Sequence, residues 1–167
     1  MLFVDQFQRL QALVAAPAKG KDSAAFEQEL RHLQQQTLSQ EQRALVLQCE
    51  GQWYRQQGAL DQAALSWIES LEEAFSVRVA LDWLELVCSQ SVEVPDDQLR
   101  RVCAGVASHG GGLALDRWLQ RRLDQLPLDQ QRLALLDRLE RCGGLRRLDR
   151  QRALATKGRQ RQPAPRA

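Results

Sequence analysis

The chain of 167 residues is poor in what β-structure needs. Ile68 is its single isoleucine and Tyr54 its single tyrosine, and aromatic residues make up 5% of the total. Strands favour β-branched and aromatic side chains, whereas helices favour Leu, Ala, Gln, Glu and Arg, and those are the residues present in quantity. No segment keeps up a two-residue apolar alternation, so a sheet is not expected. No apolar run approaches eighteen residues without a charge, which excludes a membrane-spanning helix. Residues 1–7 hold an early Asp5 and no basic stretch ahead of an apolar run, so a secretory signal is not expected. The four cysteines, Cys49, Cys88, Cys103 and Cys142, never form a C-x-x-C pair. They are read as buried, reduced thiols of a cytoplasmic protein and not as a disulfide framework.

Signatures of chemistry are also lacking. No phosphate-binding G-x-x-x-x-G-K-[ST] loop occurs. His109-Gly110-Gly111-Gly112 matches the oxyanion loop of lipase-like hydrolases, but no G-x-S-x-G elbow accompanies it, and an interhelical loop is expected. Glu29 and His32 form an E-x-x-H pair with no second pair to complete a di-metal site, so a solvated helix face is the expectation. Glu72-Glu73 and Asp96-Asp97 are neighbours, which point in different directions on a helix and make no acid/base pair. No cofactor and no metal are expected, and the chain is not read as an enzyme.

What the chain does contain is helix punctuation. A stripe of Phe3, Phe7, Leu10 and Val14 ends at Pro17. Asp22 or Ser23 is placed to cap a second helix, running to about Gln36. Ser39 and Gln42 fit a capping box. The helix they open turns Leu45, Cys49 and Trp53 inward, with Leu47 and Tyr54 beside them, and ends at Gly58. Further helices are expected over about 60–74 and 77–89, from Asp96 to beyond Val106, and over 113–126 and 128–142 around Pro127. A last basic helix would run over about 145–156. That makes eight or nine helices joined by short loops, with a break at Gly110–Gly112. Antiparallel hairpins of this length stack as a compact bundle or an α-solenoid. The expected organisation is one all-helical domain over 1–156 and a disordered basic tail over 157–167.

Within this array, residues 44–76 carry Gly51, Tyr54, Gly58, Ala63, Trp67 and Leu71 in an order that resembles a tetratricopeptide repeat. The small residues would let the two helices of a hairpin approach, the aromatics would fill the space between hairpins, and Gly58 would supply the turn. Glu50 departs from the pattern, where an apolar residue is usual, as does Phe75, where a proline often stands. A step of about 34 residues places Leu81 and Leu84 in register before Val92–Pro95 disrupts the turn. The resemblance implies an adaptor, chaperone-like or regulatory protein that binds a protein or peptide partner in a groove. For this chain the groove face would hold Leu45, Gln48, Gln52, Arg55 and Gln56. Trp53, Trp67, Trp83 and Trp118 all lie on apolar helical stripes and are read as packing residues.

A second surface comes from charge. Residues 145–167 hold eight basic residues against Asp149 alone, a net +7, which leaves −5 on residues 1–144. The basic patch comprises Arg146, Arg147, Arg150, Arg152, Lys157, Arg159 and Arg161, with Arg166 beyond it. Such a segment fits sequence-independent contact with nucleic-acid phosphates, the alternative function. No aromatic residue interleaves with these arginines.

Overall fold

The computed structural model describes residues 2–17, 22–89, 92–127 and 129–143. They form an all-α structure of eight helices: α1 (Phe3–Ala15), α2 (Ser23–Gln34), α3 (Gln40–Gln56), α4 (Leu60–Glu73), α5 (Val77–Ser89), α6 (Asp96–Ser108), α7 (Gly112–Gln125) and α8 (Asp129–Gly143). Helices pack against their chain neighbours, and no strand occurs among the described residues. No described helix is long and apolar enough to cross a membrane. Within the span read as one domain, the chain falls into two compact units, Met1–Glu93 and Val94–Ala167.

Helix starts follow the punctuation. Asp22 accepts the backbone N–H of Ala25 at 3.1 Å. Ser39 Oγ accepts from Gln42 N at 3.1 Å while the Gln42 side chain accepts from Ser39 N at 3.0 Å, closing the capping box. Gly58, with φ of 78°, turns the chain from α3 into α4, a conformation that an L side chain resists.

In the first unit one core lies between α1, α2 and α3, where Leu10, Val14, Phe26, Leu30, Leu33, Val46, Cys49 and Trp53 are buried together. Phe26 and Trp53 stack with centroids 4.2 Å apart and planes 7° from parallel. On the opposite side of α3 the contact with α4 is the most extensive between any two helices of the unit. Small residues allow it: Ala44 and Gly51 on α3, Ala63, Ala64, Ser66 and Ser70 on α4, all buried. A methyl group added at Gly51 would fall well inside van der Waals contact with Cδ1 and Nε1 of Trp67. Trp67 therefore lies within its own α3–α4 hairpin, against Gly51, and not between hairpins as the repeat pattern implied. Its Nε1–H donates to Gln48 O at 3.1 Å, and Ser70 Oγ–H donates to Ala44 O at 2.7 Å.

Trp83 of α5 repeats the bond one helix later, donating to Ala64 O of α4 at 3.2 Å. Both tryptophans reach back 19 residues. The sequence carries the reason: Ala64-Leu65-Ser66-Trp67-Ile68-Glu69 and Ala80-Leu81-Asp82-Trp83-Leu84-Glu85 share Ala, Leu, Trp and Glu in step. The successive unit is thus a single helix, half the period of the resemblance, which is why a step of one full hairpin shows so little.

In the second unit α6 packs on α7 and on α8. Leu99, Val102, Cys103 and Val106 of α6, Leu115, Trp118, Leu119 and Leu123 of α7, and Leu135, Leu136 and Leu139 of α8 are buried. The glycine triplet forms a capped connection: Gly110 takes φ of 73°, and Gly111 N donates to Val106 O at 2.8 Å. His109 Nδ1 lies 2.8 Å from Gly105 O, so the motif that matched an oxyanion loop ends a helix instead. The expected helix over 145–156 and the tail over 157–167 lie outside the described residues.

Replacing either indole donor by a ring without one, Trp67→Phe or Trp83→Phe, should lower stability by about 1–3 kcal/mol through the lost bond and the space left behind. Urea denaturation of each variant checks this; midpoints equal to that of the parent would show the two bonds to be incidental.

Candidate functional site: a glutamine-lined cleft on the first unit

The third helix presents two faces with different work. Ala44, Val46, Cys49, Gly51 and Trp53 are buried by the neighbouring helices. Leu45, Gln48, Gln52 and Gln56 fall at intervals of three or four residues, which stacks them along one stripe. That stripe forms a wall of a cleft of about 350 Å³, within the range of ligand sites. Phe7, Gln11 and Val14 of α1 contribute on one side, and Arg78 and Asp82 of α5 on the other. Cys49 and Trp67 supply buried, largely apolar ground at its base.

Four of the five residues expected on a groove face thus line one cleft. Arg55, the fifth, is exposed and does not line it, but its guanidinium acts on the carboxylate of Asp82. Leu45 was also expected to point inward. It is 42% exposed, because Ala44 and Val46 on either side take the buried positions and the apolar stripe of α3 rotates past it. The residues of the basic patch, Arg146, Arg147, Arg150, Arg152, Lys157, Arg159 and Arg161, lie outside the described residues.

The contributions of α1 and α5 were not read from sequence. Arg78 and Asp82 stand four apart on α5 and so share a face, which is the signal available. That this face meets the α3 stripe depends on how α5 stacks on α4, through Trp83 and Ala64.

The electrostatics divide the site into inert and charged parts. Burial, with the charge of Glu50 adding to it, pushes the Cys49 thiol up to about 12. At neutral pH it is protonated and a poor nucleophile. Burial raises Asp82 above the ordinary carboxylate value, with Glu85 adding to it, while the positive charges of Arg78 and Arg55 oppose the rise. Away from the cleft, burial also raises Glu50, although the phenol of Tyr54 hydrogen-bonds its carboxylate and opposes the shift; Glu69 adds repulsion. Tyr54 is raised in turn, by burial and then by the negative charge of Glu50. Among the described residues no group of three or more His, Cys, Asp or Glu is placed to hold a metal ion.

Glu50 sets a pH dependence whose sign follows from linkage. A carboxyl raised on folding binds its proton more tightly in the native state, so its ionised form costs stability above that raised value. The cost is lifted as pH falls toward the unfolded carboxylate range. Glu50→Gln, which keeps an acceptor for Tyr54, should stabilise the chain at about pH 7 and lose that advantage near pH 4. Urea midpoints at both pH values check it; an advantage that grew on acidification would reverse the assignment.

No protein-family model matches this chain, and no curated protein and no solved structure is significantly similar to it, so the cleft is interpreted on its own geometry.

Proposed function

We propose that this chain is a non-enzymatic protein–protein interaction module, a tetratricopeptide-like helical-repeat protein that works in the cytoplasm as an adaptor, a chaperone-like factor or a regulator. The observation that carries the reading is the stripe of Leu45, Gln48, Gln52 and Gln56 along one wall of the 350 Å³ cleft. Side-chain amides over apolar ground suit recognition: they orient a chain by hydrogen bonds while large apolar groups supply contact area. The protonated Cys49 thiol at the base supports a binding role over nucleophilic chemistry.

A second reading rests on the net +7 of residues 145–167 and makes the chain a nucleic-acid-associated factor. One preparation separates the two. Tagged parent and the Gln52→Ala/Arg55→Ala variant are purified from native extract in parallel, with circular dichroism to confirm equal folding. The groove reading expects at least a tenfold loss of co-purifying partner protein in the variant. Equal recovery, together with salt-sensitive binding of a generic duplex that is lost on deleting residues 145–167, would favour the basic segment instead.

A further inference from the structure

The spacing of the amides narrows the class of partner. Gln48, Gln52 and Gln56 follow one another at four residues, about 6 Å along the axis of α3. An extended peptide repeats every two residues, about 6.6–6.8 Å, and along one edge each repeat offers one N–H and one C=O of the same residue. A glutamine amide carries both complements, an N–H₂ donor and a C=O acceptor. Over the two steps from Gln48 to Gln56 the mismatch accumulates to about 1.5 Å, which flexible glutamine side chains absorb. A helical ligand has its interior N–H and C=O groups paired internally, and would leave the ladder nothing to bond. Gln48 and Gln52 are partly buried, and neither hydrogen-bonds through its side chain to another described residue.

Charge fixes the other element. The first unit is acidic, with 7 Lys and Arg against 13 Asp and Glu over residues 1–93. Its cleft departs from that balance, because Arg78 on the rim and exposed Arg55 both act on a single carboxylate, Asp82. No ion pair closes on either guanidinium among the described residues. A partner carboxylate therefore finds two cations here and repulsion over much of the remaining surface.

Resting on the groove reading above, we propose that the occupant is an extended peptide segment, which pairs one backbone edge with Gln48 and Gln52, turns apolar side chains toward Leu45 and Trp67, and sets an Asp or Glu beside Arg55 and Arg78. Specificity then lies in alternate residues of the peptide, since successive side chains of an extended chain point to opposite sides.

The test is to pan a display library of random twelve-residue peptides on the intact chain and to measure the recovered sequences, as synthetic peptides, by fluorescence anisotropy. Apolar residues at alternate positions near an Asp or Glu are expected. Affinity should fall about tenfold in Gln48→Ala/Gln52→Ala and by a similar factor in Arg78→Ala. N-methylation of alternate backbone amides in one register should abolish binding, and in the other register leave it intact. Leu45→Glu, at an exposed position that leaves the core untouched, reports whether a peptide uses the cleft at all. Peptides that lose binding to Leu45→Glu but show a three-to-four-residue apolar period and tolerate N-methylation in both registers would overturn the extended segment and leave the groove reading standing. Peptides indifferent to Leu45→Glu, or no binders from the library, would remove the groove and this proposal together.

Discussion

The indole of Trp67 laid on the bare backbone of Gly51 is the contact on which the first unit depends. A helix position without a side chain lets α4 come close enough for a ring Nε1–H on one helix to bond a main-chain carbonyl on the next. Ser70 adds a second such bond to Ala44, four residues from Gln48 on the same side of α3. Together they fix the rotation of α3. Its small-residue side is committed to α4, its Cys49 and Trp53 side to the core with α1 and α2, and the stripe from Leu45 to Gln56 is left for the cleft. The cost is an interior glycine, which weakens a helix by about 1 kcal/mol relative to alanine and is offset here by close packing.

The same device, used again, completes the site. Trp83 bonds Ala64 as Trp67 bonds Gln48, so α5 is placed on α4 as α4 is on α3. That placement brings Arg78 and Asp82 to the cleft and gives an otherwise amide-and-apolar surface its charged rim. Burial that lifts Asp82 also weakens its claim on the two arginines, which leaves them suited to a partner's carboxylate.

Much of the fold was legible because helix ends are local chemistry. Asp22, Ser39 with Gln42, Gly58 and the Gly110–Gly112 connection act within a few residues of themselves, and a reading of neighbours suffices for them. The α3 stripe was legible as well, since residues three and four apart must share a face. Leu45 was assigned inward because an apolar residue on a helical stripe is ordinarily buried; only the competing burial of Ala44 and Val46 decides otherwise. Trp67 was placed between hairpins since its contact with Gly51 depends on the approach of two helices 16 residues apart in sequence. Phe7, Gln11, Arg78 and Asp82 escaped for the same reason: they reach the cleft through stacking, and no spacing within α1 or α5 reports it.

A double-mutant cycle on Gly51 and Trp67 tests the central contact most directly. Unfolding free energies are measured for the parent, Gly51→Ala, Trp67→Leu and the double variant. In the parent background Gly51→Ala should destabilise by about 1–3 kcal/mol, because the new methyl group meets the indole. With Trp67→Leu that obstacle is gone, and the same substitution should become neutral or stabilise by up to about 1 kcal/mol through helix propensity. An equal cost of Gly51→Ala in both backgrounds would contradict the claim that the indole on this glycine positions the two helices and, through them, the cleft.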